Sequence, residues 1–126
     1  MPSKKITTEK APSAIGPYSQ GIIANGFIFV AGQGGLVPGT KTPIEGGIQA
    51  QTRQTFENIK AILAAAGTSL ENVVKMNVYL TDINDFAAMN EVYASFFAAD
   101  PPARTTVQVA KLPLGLIVEI EATALV

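Results

Sequence analysis

Apolar residues recur along this chain in two distinct periods, and the switches between them divide it into elements. From Val73 to Leu80 the alternation places Val74, Met76, Val78 and Leu80 on one side, the signature of a half-buried strand. From Leu116 to Val126, Val118, Ile120 and Ala122 share one face, while Glu119, Glu121 and Thr123 share the other. Arg104 to Val109 alternates likewise, with Arg104, Thr106 and Gln108 opposed to Thr105, Val107 and Val109. Gln20–Ala24 and Phe27–Ala31 are β-rich runs separated by Asn25-Gly26, a dipeptide that tolerates the positive φ of a tight hairpin. Ile6–Thr8 reads as a short first strand, and Gly32–Gly47 as a Gly/Pro-rich loop.

The helical period appears twice. Over Ile48–Ala66, the residues Ile48, Thr52, Phe56, Ile59, Leu63 and Ala66 form one face, opposed by Gln49, Arg53, Glu57 and Lys60. Gly67 stands where a terminating glycine belongs, and Thr68-Ser69-Leu70-Glu71 has the spacing of a capping box. A second helix is predicted over Phe86–Phe97, capped by Asn84 or Asp85. Phe86, Met89, Val92 or its neighbour Tyr93, and Phe96 point inward, and Pro101-Pro102 ends it.

The order βββ-α-β-α-ββ over residues 1–126 describes a single α+β domain, a mostly antiparallel sheet of five or six strands. The last two strands, joined around Leu112-Pro113-Leu114-Gly115, are expected to form a hairpin. A register matching polar with polar puts Arg104, Thr106, Gln108 and Glu119 on the same side. Two helices cover only one sheet face. The other face carries Ile117 and Leu125 among polar residues and is expected to be buried against other subunits.

Composition narrows the chemistry. Of 126 residues, 48% are hydrophobic and 15% charged, with a net charge of −1, which suits a compact domain and gives no nucleic-acid footprint. The one basic cluster is Lys4, Lys5 and Lys10. There is no Cys and no His. Disulfides, thiolate nucleophiles and zinc sites of the sulfur or imidazole kind are therefore excluded, as are Ser-His-Asp and Cys-His machinery. Acid–base work falls to carboxylates, Lys, Tyr or positioned water. Met1–Ala14 lacks the apolar core of a signal peptide, and no apolar run reaches the roughly 18 residues of a spanning helix. A soluble, cytoplasmic protein is expected, with no membrane partner.

The chain has two Arg. Arg53 lies on a polar helix face. Arg104 opens a strand after two prolines, either paired with Glu119 or offering its planar fork to a carboxylate ligand. Glu119 and Glu121, two apart on one strand face, suit a solvated edge, an interface salt bridge or acid–base chemistry. Gly32-Gln33-Gly34-Gly35 follows a strand but is no nucleotide loop, since Val37 holds the third fingerprint position and no helix follows directly. It suits plain turn chemistry or close approach of backbone to a ligand. Tyr18, in Gly16-Pro17-Tyr18-Ser19-Gln20, is a core or interface aromatic, or lends a phenol to a site.

These stretches together resemble the Rid family, the reactive intermediate deaminases also labelled L-PSP or translation initiation inhibitor. The likeness rests on Ala14-Ile15-Gly16-Pro17-Tyr18-Ser19-Gln20, Val30-Ala31-Gly32-Gln33, Asn58-Ile59-Lys60, Ala65-Ala66-Gly67, Asp85-Phe86 and Asn90. Most specific are Pro102-Ala103-Arg104-Thr105-Thr106-Val107 and Val118-Glu119-Ile120-Glu121-Ala122. The resemblance implies a chorismate-mutase-like fold and a homotrimer with sites between subunits. The implied activity is hydrolysis of 2-imino or 2-enamino acids, such as 2-aminoacrylate, to 2-keto acids and ammonia, without a cofactor. It implies that Arg104 binds the substrate carboxylate and that Glu119 positions or activates water. Tyr18, the backbone at Ala31 and Gly32, Asn90, Thr105 and Thr106 would contact substrate. Thr106 stands where many members have Cys, and Ala31 where Ser is usual. The family's older labels suggest RNA cleavage or translation inhibition as an alternative, against which the lack of His and the slight negative charge count. A non-catalytic ligand-sensing or chaperone-like trimer is the third reading.

Overall fold

The computed structural model describes residues 3–126. The strands are β1 (Lys4–Ile6), β2 (Gly21–Ala24), β3 (Phe27–Gly34), β4 (Val73–Leu80), β5 (Ala103–Gln108) and β6 (Val118–Leu125), and the helices are α1 (Gly47–Ala65) and α2 (Phe86–Ser95). They build an α+β fold around one six-stranded sheet in the order β1-β2-β3-β6-β4-β5. Every pairing is antiparallel except β4 with β5, the parallel pair that α2 connects.

The hairpin at Asn25-Gly26 forms as its chemistry dictates, with φ of 53° and 82° at the two turn residues. The first strand lies two residues earlier than the pattern suggests. At Thr8 the ladder gives way to a side chain: Gln20 accepts from the Thr8 N–H at 2.7 Å and donates to the Thr8 carbonyl at 3.1 Å. Helix α1 ends at Gly67 (φ 83°), where the Thr68 N–H closes back onto the Leu63 carbonyl at 3.0 Å. The capping box that follows is not made. Thr68 donates instead to the Leu125 carbonyl at 2.7 Å, tying this turn to the end of β6. Asp82, not Asn84 or Asp85, caps the entry to α2: its side chain accepts from the Asn84 N–H at 2.9 Å and starts a 3-10 turn running into the helix.

The core lies between the helices and one sheet face. Ile28, Met76, Val78, Val118 and Ile120 from the sheet meet Phe56, Ile59, Ile62, Leu63 and Met89 from the helices, all with no solvent exposure. Each such side chain contributes about 1.5–3 kcal/mol by leaving water. Two inward assignments are corrected. Val74 is exposed because the β4–β6 register slips between Val73 and Lys75, which turns Val73 inward in its place. Phe86 is also exposed, since it starts α2 at the rim, and burial begins one turn later at Met89.

The larger correction concerns the C-terminal third. β5 and β6 form no hairpin. β6 crosses to the middle of the sheet and pairs with β3 and β4, while β5 takes the edge beyond β4. Arg104 then lies across from Met76 and Thr106 across from Val78, so both share the helix face. Glu119 lies across from Tyr79 and Glu121 across from Asn77, on the face without helices. That open face also carries Phe29, Val107 and Leu125, each between 42% and 49% exposed.

Asn58 fastens the segment after β3 to α1. Although only 1% exposed, it donates to the Gly34 and Leu36 carbonyls at 3.1 and 2.8 Å. Asn58→Leu leaves both carbonyls buried and unpaired and is expected to cost about 2–4 kcal/mol, read as a lower midpoint in urea unfolding.

Candidate active site

Two partial sites lie on opposite sides of the sheet. On the helix side, Arg104 projects from edge strand β5 towards α2. Its Nη1 donates to Asn90 Oδ1 at 2.8 Å. Its guanidinium carbon lies 4.6 Å from the Tyr93 ring centre and 5.4 Å from that of Phe86. Asn90, Tyr93, Pro101, Pro102 and Arg104 line a cleft of about 360 Å³. No carboxylate pairs with Arg104; among the described residues the ion pair formed is Lys60 with Glu57 at 3.5 Å. The intrachain Arg104–Glu119 pair is therefore not made. Asn90 engages one of five guanidinium N–H groups, so most of the fork is free for a planar anion.

On the open side, Glu119 is half-buried beside a bulge in β3. Between Val30 and Gln33 the strand carries one residue more than β6 opposite it. The bulge brings the Gly32 backbone against Glu119. A Cβ at Gly32 would lie 2.6 Å from the Glu119 carboxylate oxygen, so any larger residue there would push the Glu119 side chain out of its present position. Tyr18, Ile15, Gly32, Leu114 and Glu119 line a narrow cleft of about 60 Å³. Burial, and after it the charge of Glu121, raise the Glu119 carboxyl above the ordinary glutamate value. Glu121 itself accepts from Tyr79 Oη at 2.6 Å and from Asn77 Nδ2 at 3.0 Å. The bond to Glu121, with burial behind it, pushes the Tyr79 phenol up to about 12.

The expected site residues thus separate into two sets. Tyr18, Gly32 and Glu119 come together on the open side, and Arg104 and Asn90 on the helix side. The register that put Arg104 and Glu119 on one side is wrong. They lie on opposite faces, and β4 separates their strands. Thr106 follows Arg104, its hydroxyl buried without a partner. Thr105 faces the other way and accepts from Lys75 Nζ at 2.9 Å. Ala31 commits its N–H to the Gln20 carbonyl at 2.9 Å, and it is Gly32 that lines the cleft.

Gln20 escapes a reading by residue chemistry, since an amide has no acid–base role. It is 4% exposed, and its Nε2 donates to the Pro12 carbonyl at 2.7 Å as well as to Thr8. It thereby holds the segment from Thr8 to Pro12, and its backbone fixes Ala31 beside the bulge. The signal available in the sequence was its place within the Gly16–Gln20 block.

A family model described as Endoribonuclease L-PSP matches residues 8–126. A RutC family protein of Pyrococcus horikoshii is 56% identical over 119 residues, covering 94% of each chain. A 2-iminobutanoate/2-iminopropanoate deaminase of Capra hircus is 49% identical over 119 residues, 94% of this chain and 87% of that one. The crystal structure of RidA from the Antarctic bacterium Psychrobacter sp. superposes with a TM-score of 0.93 at 49% identity, covering 98% of this chain and 99% of the other. The six-stranded α+β domain is thus a Rid-type fold. This chain belongs to the Rid family, and proteins named as imine deaminases are among its relatives.

The raised Glu119 carboxyl has a consequence for stability. Between the unfolded and folded pKa values the native state holds the extra proton, so this contribution to stability is present at low pH and is lost as pH rises through the folded value. A carboxyl-carbon NMR titration should place the Glu119 midpoint above the ordinary glutamate value. Glu121→Gln should lower it part of the way, because burial is the larger cause. An unshifted Glu119 in the wild type would contradict this picture.

Proposed function

We propose that this protein hydrolyses 2-imino and 2-enamino acids, such as 2-aminoacrylate, to 2-keto acids and ammonia. It does so as a homotrimer, with Arg104 of one subunit and Glu119 of another meeting at a shared site. The observation that carries this reading is the pair of unneutralised groups on opposite faces of one sheet. One small substrate cannot touch both within a chain, because two steps of roughly 4.8 Å between strands and the thickness of the sheet intervene. Juxtaposing two chains brings the groups together and also covers the apolar residues of the open face. The relatives named as 2-iminobutanoate/2-iminopropanoate deaminases support the chemistry, and the family resemblance supplies the number three.

The reaction needs orientation more than a strong nucleophile. The Arg104 fork grips the substrate carboxylate in two parallel hydrogen bonds and leaves the protonated imine carbon facing Glu119. Glu119 accepts a proton from a water molecule as its oxygen bonds to that carbon, forming a carbinolamine. The same carboxyl then gives the proton to the amine nitrogen, the C–N bond breaks as the carbonyl forms, and the carbinol O–H proton passes back to the Glu119 carboxylate and from there to the departing ammonia, which leaves as ammonium. A carboxyl raised by burial holds and releases a proton nearer neutral pH than an exposed one. Orientation itself supplies up to about 7–11 kcal/mol of the barrier. No group in this sequence of steps has to be His or Cys.

Subunit mixing provides the test. Arg104→Ala and Glu119→Gln are each expected to lose about 10²–10⁴-fold in turnover of freshly generated 2-aminoacrylate. Unfolding and reassembling the two variants together should restore activity, since hybrid trimers contain sites with both groups intact. Failure of the folded hybrids to recover would retire the shared site. Full activity of either variant alone would retire the proposed role of that residue. Arg104→Lys should also lose most activity, because an ammonium cannot present a planar fork.

A further inference from the structure

Arg104 is a long, flexible side chain on an edge strand, yet it is held on two sides by one face of α2. Resting on the carboxylate-gripping role proposed for Arg104, we propose that Tyr93 is a positioning residue whose ring sets the orientation of that guanidinium. Asn90 and Tyr93 are three residues apart, one helical turn, and so project from the same face of α2. Asn90 accepts a hydrogen bond from Nη1 at 2.8 Å, which restrains the fork at one edge. The Tyr93 ring lies 4.6 Å from the guanidinium carbon, nearer than Phe86 at 5.4 Å. Phe86 is 38% exposed, whereas Tyr93 is 5% exposed and pinned in the core. Its ring meets Phe56 edge-on at 5.3 Å and Phe97 at 5.1 Å. The rigid platform is therefore Tyr93. A fork held by one hydrogen bond alone can still rotate about it. A fixed ring against the guanidinium removes that rotation before substrate arrives, so less freedom is lost on binding. Burial raises the Tyr93 phenol and the nearby Arg104 guanidinium opposes that rise, so the hydroxyl senses Arg104; it makes no hydrogen bond of good geometry, and the restraint is assigned to the ring.

The ring and the hydroxyl are separable by substitution. Tyr93→Phe keeps the ring and removes an unpaired buried hydroxyl, so KM, kcat and thermal stability should stay at or above the wild-type level. Tyr93→Leu keeps apolar volume but loses the aromatic face. Its KM for 2-aminoacrylate should rise about tenfold, the loss expected for a partly desolvated cation–π contact, with kcat changing far less. Side-chain ¹⁵N NMR of Arg104 gives a reading that does not depend on Tyr93→Leu folding. In the wild type and in Tyr93→Phe the guanidinium should show restricted rotation and a ring-current shift. A freely rotating, unshifted guanidinium in the wild type would overturn the inference. So would an equal loss of affinity in Tyr93→Phe and Tyr93→Leu, which would move the role to the hydroxyl, or an unchanged KM in folded Tyr93→Leu. Arg104→Ala measured alongside separates the two levels. If it leaves KM and turnover intact, the carboxylate-gripping role fails; if it is inactive while folded Tyr93→Leu matches the wild type, the positioning role alone fails.

Discussion

The position of β6 between β3 and β4 is the constraint on which the rest of the structure depends. Its Val118, Ile120, Ala122 and Ala124 are at most 3% exposed and form the middle of the core beneath α1. Because side chains alternate along a strand, burying those four commits Glu119 and Glu121 to the other face. The same placement excludes β5 from pairing with β6 and sends it to the edge, parallel to β4. Edge position and parallel register then turn Arg104 towards α2. The separation of the two charged groups is thus a consequence of core packing and not a local feature of either strand.

Leaving a half-buried guanidinium and a half-buried carboxylate each without an opposite charge is costly in a domain of this size. Proteins retain such groups where a ligand or a partner chain completes them. The surroundings differ in a way that suits different tasks. Arg104 is enclosed by aromatic rings and an amide, which orient it while offering no competing anion. Glu119 sits against glycine backbone and near a second carboxylate, which favours a group that binds a proton readily. Gly32 leaves room for that carboxylate in its present position, and the bulge that carries it is the device by which β3 reaches the Glu119 cleft.

The open face extends the same logic. Apolar Phe29, Val107 and Leu125 stand beside a hydrogen-bonded cluster of Tyr79, Asn77 and Glu121. The Tyr79 and Asn77 donors already bond to Glu121 within the chain, so those donors can be covered by another surface without being left unpaired. The face is in that respect prepared for burial, and the helices have no residues left to bury it.

Local pattern alone determined most of the elements. The two helical stripes, the Asn25-Gly26 hairpin, the alternation of β4 and β6 and the glycine at the end of α1 all rest on interactions within a few residues, so composition and period suffice to read them. The chemistry-bearing residues were legible for a related reason: with no His or Cys, few side chains remain that can bind a carboxylate or move a proton, and Arg104 and Glu119 stand within the blocks that carry the family likeness. What the pattern left undecided is which strands are neighbours. Alternation assigns each side chain to one of two faces but does not say which face of one strand matches which face of another. A short connection between β5 and β6 made a hairpin the natural expectation. Only the tertiary structure decided otherwise, because the unbroken apolar face of β6 (Val118, Ile120, Ala122, Ala124) belongs at the centre of the sheet, where both edges are paired and that face is fully covered. The same non-local choice exposed Val74 at a register slip, gave Gln20 its clamp and put Arg104 and Glu119 on opposite sides of the molecule.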